Sequence, residues 1–408
     1  MKNACSECKF NYFYGVYLQC VRNMTEKESA LYSQYIIDGI RCEATPAELL
    51  DECIRDSYTG HPAPTCYEDI IDESTDPPVT SFVYDSSYDS RYLEDCLKEA
   101  GHDRSFRLLY PQAFTRQRIA KALIDRIWNE GHFRLGNLNL WAKWSWNTRP
   151  LGNMAAFYMS AESASGYIFD LGVKLNDYIF EETDEESNLH FYAWLPEDSQ
   201  DDNDENCDEL QLKDSPFQSR NSWITEQRRC LSEMDPEPSD WLIYIPFDTC
   251  SYRIGGSLLA QTQGHNGGIG PHIQDPDYFI DCYEVVRELV EDGIVIAGAT
   301  VSDGGLAVAA ASMCGRCGTL LDLGGLMSSY QETDRTKLLF GEIPGVIIQI
   351  RNNDYDYLDS QLLLQDIAYY PIGHPDPATK GVAFKEGQRT GVAGILASLL
   401  EQASEGED

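Results

Sequence analysis

An α/β fold is the expectation for this 408-residue chain, and three stretches carry it. Residues 293–306 read Gly-Ile-Val-Ile-Ala-Gly-Ala-Thr-Val-Ser-Asp-Gly-Gly-Leu, a buried-looking strand that runs through a glycine-rich turn into a helix. Just before it, Asp275-Pro276 opens a helix with Tyr278, Phe279, Cys282, Val285, Val286, Leu289 and Val290 on one face, closed by Gly293. Residues 345–350, Gly-Val-Ile-Ile-Gln-Ile, read as a further buried strand. Helices alternating with apolar strands must pack as layers around a sheet.

The elements follow in order. Cysteines are dense up to Cys96, at Cys5, Cys8, Cys20, Cys42, Cys53 and Cys66. Thr25 with Glu28, and Thr45-Pro46-Ala47-Glu48, have the spacing in which a threonine and a glutamate cap a helix reciprocally. Pro62, Pro64, Pro77 and Pro78 punctuate a loop before a helix over 90–100, with Gly101 beyond it. A helix over 118–128, a strand over 138–146 with a period of two, and a helix over 153–171 ended by Gly172 come next. Between 181 and 209 lie thirteen acidic residues, read as a solvated loop because the run lacks the glycine and spacing of a calcium loop. Strands over 241–245, 294–298 and 367–372 and helices over 306–314 and 354–365 complete the set before an acidic tail.

Composition narrows the function. With 31 basic and 67 acidic residues the net charge is −36, which repels nucleic acid and anionic membrane surfaces. No apolar run approaches the roughly 18 residues that span a membrane, and the first residues lack a signal-peptide core, so a cytoplasmic protein is expected. Thirteen cysteines then read as thiols or metal ligands and not as a disulfide framework. Cys5, Cys8 and Cys20 lack the second well-spaced pair that zinc needs, and Cys314-Gly-Arg-Cys317 has redox spacing but follows a helix.

Two turns carry candidate chemistry. A helix start has N–H groups without partners, and glycines let backbone approach a phosphate, so Ser302, Asp303, Gly304 and Gly305 make a candidate anion site. Asp303 either holds Mg²⁺ beside a bound phosphate or caps the next helix. Gly255, Gly256 and Ser257 make a second tight turn, where Ser257 either donates to a phosphate or bonds its own backbone. His265 and His272 flank the glycine-rich loop 264–270.

The ordered trio Ile254-Gly255-Gly256-Ser257-Leu258-Leu259-Ala260-Gln261, Ser302-Asp303-Gly304-Gly305, and Leu338-Leu339-Phe340-Gly341-Glu342-Ile343-Pro344-Gly345 resembles a known module. It is similar to the carboxy-terminal half of the aminoimidazole-ribonucleotide-synthase-type module of phosphoribosylformylglycinamidine synthase, the glutamine amidotransferase of purine biosynthesis. The likeness covers about two thirds of the chain and is weaker toward its start. It implies a module of two half-domains with mixed sheets and flanking helices, over 105–238 and 239–375. A cysteine-rich helical extension over 1–104 would precede it and an acidic tail over 376–408 would follow. It also implies that Gly255, Gly256, Ser257, Ser302, Asp303, Gly304 and Gly305 line a cleft for ATP or ADP with Mg²⁺, or for another phosphorylated small molecule. In the family ATP phosphorylates an amide oxygen and ammonia displaces the phosphate, giving an amidine.

Departures from the family pattern matter as much. Ala299 and Thr300 stand where the family has a His-Asp pair, and neither can shuttle a proton. Asn176-Asp177-Tyr178-Ile179-Phe180-Glu181 replaces a Gly-Lys-Asp-Ser turn, with Lys174 nearby, and Lys121 stands where an acidic residue is usual. After Ile372 the remaining length is too short for a glutaminase domain, and no internal repeat is present. The expectation is a synthase-like protein that is degenerate or dependent on a partner, the alternative being a non-catalytic nucleotide-binding or structural paralogue. A lone module implies a homodimer or a complex with a paralogous module. Trp141, Trp144 and Trp146 either form that contact or pack the core.

Overall fold

The computed structural model describes residues 29–37, 39–54, 84–102, 104–131, 133–150, 152–195 and 227–385. The Cys5, Cys8, Cys20 and Cys66 positions, the Thr25–Glu28 cap, the prolines at 62–78, the acidic run 198–205 and the tail beyond 385 lie outside the described residues.

Strand β3 (Asn139–Trp146) organises the first half. It runs parallel to β4 (Lys174–Glu182) and antiparallel to β5 (Asn188–Trp194), in the order β4-β3-β5. Leu140, Ala142, Trp144 and Trp146 alternate onto one face and are fully buried, as a period of two requires. Helix α4 (Asn153–Asp170) covers that face, and Phe157 meets both Trp144 and Trp146 edge-on or tilted. Its small residues Ala155, Ala156, Ser160, Ala161 and Ala164 let α3 (Pro111–Ile127) approach, with Thr115 bonded to Ser160 at 2.8 Å. Proline at its first position starts α3 earlier than the sequence expectation of residue 118. Trp144 and Trp146 are thus core, one of the two roles expected for these tryptophans, while Trp141 lies against Trp194.

The second half is built on an antiparallel sheet in the order β10-β6-β9-β7. Its strands are β6 (Trp241–Pro246), β7 (Val295–Val301), β9 (Gly345–Ile350) and β10 (Tyr370–Gly373). All of β9 is buried because both faces are covered, which is why it reads as a continuous apolar run. Ile243, Ile245, Val346 and Ile348 face a core shared with α3, α4 and α6 (Pro276–Glu291). Leu242, Tyr244 and Ile347 face a second core with α7 (Gly305–Ser312) and α9 (Arg335–Phe340). The sheet therefore joins two cores, and a turn leaving its end is held from both sides.

Three expectations change. The expected helical extension over 1–104 is, where it is described, not helical throughout, and it packs into both cores. A two-stranded hairpin (β1, Ile36–Ile37; β2, Ile40–Arg41) precedes α1 (Pro46–Ile54), whose Ala47 and Leu50 enter the first core. Helix α2 (Asp89–Glu99) instead puts Tyr92, Leu93 and Cys96 into the second. The expected acidic loop contains β5, because Leu189 and Ala193 bury against β3. The ordered fold also passes 375: β12 (Val382–Phe384) lies parallel to β8 (Gly318–Leu321), whose other edge pairs with β11 (Pro375–Asp376).

Local signals hold where they are purely local. Thr45 Oγ1 accepts the Glu48 N–H at 3.3 Å while Glu48 accepts the Thr45 N–H at 2.7 Å. Asp275 caps α6 through the Tyr278 N–H at 3.2 Å. Among the described residues no helix is long and apolar enough to cross a membrane.

Candidate functional site

The expected site residues do converge. Strand β7 delivers Ser302 and Asp303, Gly304 turns at φ +78°, and α7 begins at Gly305. Gly305 is needed for space as well as for its φ of +66°, since a β-carbon would lie 2.7 Å from the Leu339 carbonyl and 2.8 Å from that of Gly341. The neighbouring turn at 255–257 leads into α5 (Leu258–Thr262).

The anion at this junction is the protein's own. Glu342, in the segment between α9 and β9, is almost wholly buried and places Oε1 2.8 Å from the Gly304 nitrogen and 2.6 Å from that of Leu258. One carboxylate thereby accepts from the starts of two helices, the places where unpaired N–H groups and the helix dipole favour negative charge. Four further amides of the two turns are committed too. Gly255 donates to Ile269 and Gly256 to Asn266, both at 2.9 Å; Ser257 donates to Ile254 at 3.0 Å and Gly305 to Ser302 at 2.8 Å. The Ser257 hydroxyl accepts the Ala260 N–H at 3.2 Å, so it caps α5. At this strand–turn–helix unit a carboxylate contributed from elsewhere in the chain thus takes the Gly304 and Leu258 amides.

Arg104 balances that charge. Its side chain is 4% exposed and its Nη1 lies 3.2 Å from both oxygens of Glu342, while Nη2 donates to the Gly256 carbonyl at 3.0 Å. The same guanidinium contacts Asp303, whose other oxygen is 3.0 Å from Arg118 Nη1. Phe114 props both arginines, lying 5.7 Å below one and 4.6 Å below the other. Asp303 therefore neither caps α7, which has no side-chain cap, nor fits the Mg²⁺ role. Two guanidinium groups neutralise its carboxylate and would repel a cation. Among the described residues no group of three acidic, histidine or cysteine side chains is placed to hold a metal.

Titration follows from these contacts. Burial opposes ionisation of Asp303, yet Arg118 and Arg104 outweigh it and hold the carboxyl below the usual range. Burial pushes Glu342 up, with Arg104 pulling back. A depressed folded pKa stabilises the fold above the unfolded value of about 3.9, and that stability is lost as pH falls through the folded value. Asp303→Asn should therefore flatten the acid limb of a melting-temperature profile below about pH 4. An unchanged acid limb would count against the two pairs.

The departures have structural explanations. Thr300 takes up the His-Asp position by accepting from Trp128 Nε1 at 2.8 Å and donating to Asp125 at 2.6 Å. Lys121 pairs with Asp125 one turn along α3. In the glycine-rich loop, His265 accepts the Gly267 N–H at 3.0 Å and approaches Tyr84 at 3.3 Å, and Tyr110 donates to the Asn266 carbonyl at 3.0 Å. Burial pushes the Cys314 thiol up to about 11, so it is not a ready nucleophile.

Sequence reasoning missed Arg104, Arg118 and the role of Glu342. One signal was available: from 104 to 121 this acidic chain holds five basic residues and no acidic one. A small cleft beside the turn is lined by Gln117, Arg118, Lys121, Ser302, Asp303 and Glu342.

No protein-family model matches the chain. A probable phosphoribosylformylglycinamidine synthase, chloroplastic/mitochondrial, of Arabidopsis thaliana is 33% identical over 135 residues, 33% of this chain and 9% of that protein. Phosphoribosylformylglycinamidine synthase of Homo sapiens is 28% identical over 121 residues, 29% of this chain and 9% of that one. The chain thus matches less than a tenth of the length of these relatives. Among solved structures, Thermotoga maritima PurL complexed with AMPPCP superposes with a TM-score of 0.46 at 11% identity, over 71% of this chain and 42% of that one. The tt0281 protein of Thermus thermophilus gives 0.40 at 12% identity, over 68% and 79%. About a third of this α/β chain is therefore similar in sequence to part of phosphoribosylformylglycinamidine synthase.

Proposed function

We propose that the protein is a phosphoribosylformylglycinamidine synthase-like component of purine nucleotide biosynthesis that binds a nucleotide or phosphorylated ligand beside residues 302–305. On its own it does not complete the ATP-dependent conversion of an amide to an amidine. The observation that carries this reading is Glu342. It occupies the Gly304 and Leu258 amides that would otherwise face a phosphate, while Arg118 and Lys121 line the cleft beside it. ATP, when bound, would supply the phosphoryl group that activates the amide oxygen. The chain's own residues would contribute charge for binding, and Thr300 supports loss of the proton-transfer step because an aliphatic hydroxyl does not ionise near neutral pH and so serves as neither acid nor base. Mg²⁺ is left out, since Asp303 does not suit it. The expected partner is a second copy or a paralogous module, of which only the paralogous module could bring residues this chain lacks.

The test is an ammonium-supported assay of the purified chain with formylglycinamide ribonucleotide, ATP and Mg²⁺, alongside native mass spectrometry. The expected result is a retained ligand mass, or calorimetric heat with millimolar ATP or ADP, and no amidine. Turnover by the isolated chain would refute the dependence on a partner. Absence of both ligand and heat would leave a purely structural paralogue, the second reading, which the internally satisfied turn amides favour.

A further inference from the structure

A cavity of about 480 Å³ opens where the end of α3 meets β5 and Arg228. That volume falls within the ~300–1,000 Å³ of small-molecule sites. The cavity shares no lining residue with the cleft at 302–305. Its lining joins an apolar set, Ala122, Phe191 and Ala193, to a polar one, Asp125, Arg126, Asn129 and Arg228.

Arg228 is exposed yet held in place. Its Nε donates to the Cys230 carbonyl at 3.2 Å and its Nη2 to the Gly298 carbonyl at 2.8 Å, and the guanidinium lies 5.6 Å from the centre of the Trp128 ring. Both acceptors are neutral, so no carboxylate among the described residues cancels its charge. The backbone behind it is fixed as well, since Arg229 donates to Trp128 at 2.7 Å and Glu130 to Gln227 at 2.9 Å. The Trp128 ring in turn lies directly on Gly298, where a β-carbon would come within 2.3 Å of it. Arg126 is stacked on Tyr192 at 4.8 Å. Guanidinium groups held in this way give up little freedom when they meet a planar anion.

Asp125 decides which anion. Its carboxylate accepts from Thr300 at 2.6 Å and pairs with Lys121, which leaves lone pairs for one more donor. A phosphate dianion would meet that carboxylate as a like charge. A monocarboxylate with a hydroxyl or ammonium group beside it answers both signs.

We infer that this cavity is a second binding site, for a small carboxylate that carries a neighbouring hydroxyl or ammonium group and an apolar body. The carboxylate meets Arg228 and Arg126, the donor group meets Asp125, and the apolar body lies against Phe191 and the two alanines. The site needs no nucleotide and goes beyond the function proposed above.

The experiment uses three probes on one skeleton, 3-phenylpropionate, 3-phenyllactate and phenylalanine, with inorganic phosphate as the fourth, all on the full chain. Calorimetry should show phenyllactate and phenylalanine binding at millimolar concentration, phenylpropionate more weakly because it offers Asp125 no donor, and phosphate not at all. Arg228→Gln should weaken binding by at least about ten-fold, with Arg228→Lys between it and wild type because lysine keeps the charge without the fork. Ala122→Leu fills the cavity from α3 while leaving every charge in place, so it should abolish binding and tests the site even where Arg228→Gln unsettles the fold. Equal binding by wild type, Arg228→Gln and Ala122→Leu, or no binding of any carboxylate, would overturn the inference. Phosphate bound as tightly as the carboxylates would overturn the assigned class.

Discussion

Glu342→Ala should lower the unfolding free energy by about 3–5 kcal/mol, the range seen when one partner of a buried charge pair is removed. The N–H groups of Gly304 and Leu258 lose their acceptor at once, and Nη1 of Arg104 is left with Asp303 alone. None can turn to water, because Arg104 is buried and the two amides are fixed at helix starts. Glu342→Gln keeps an oxygen for the amides and loses only the charge, so it should cost less, about 1–3 kcal/mol. Urea unfolding of the two variants separates the contributions. If alanine and glutamine cost the same, the amide bonds contribute nothing and the junction is held by charge alone. If neither costs anything, Glu342 does not occupy the cradle and the turn is open to an external phosphate. The glycine turn itself is a poor place to probe binding: at Gly304 a β-carbon would lie 2.3 Å from Val308 Cγ2 at a positive φ, so a branched residue there would disturb the fold as well as any ligand.

What the sequence disclosed and what it hid divide by distance along the chain. The Thr45–Glu48 and Asp275 caps, the Gly172 and Gly293 helix ends and the β7–turn–α7 unit were legible, because each is decided within a few residues. Strand β5 was hidden because it sits among acidic residues and only Leu189 and Ala193 bury fully, too few to set a period by themselves. At the site, sequence could say that the 302–305 turn wants an anion. It could not say which one, since Glu342 meets Arg104 across 238 positions and its two amide donors belong to different helices. The same distance conceals Asp303: as a residue beside a glycine turn it resembles a metal ligand, and only the fold brings Arg104 and Arg118 onto it.

Trp144→Ser decides between the two roles offered by the tryptophan-bearing strand. Trp144 is fully buried, its ring meets Phe157, Tyr178 and Phe191, and its Nε1 donates to Ser160 at 3.0 Å. Truncating a buried aromatic leaves a cavity that neighbours fill only partly, and serine adds a hydroxyl while stripping Ser160 of a donor. The expected loss is about 3–5 kcal/mol, and it should not change with protein concentration, because the contacts lie within one protomer. An assembly contact would behave differently: the loss would grow with dilution, and sedimentation would show wild-type oligomers replaced by monomers that unfold almost as wild type does. Trp141, on the opposite face of β3 and paired with Trp194 at 5.5 Å, provides the internal control. It touches the side of the sheet away from α4, so Trp141→Ser should cost less stability, and any oligomer that uses this sheet should respond to Trp141 before it responds to Trp144.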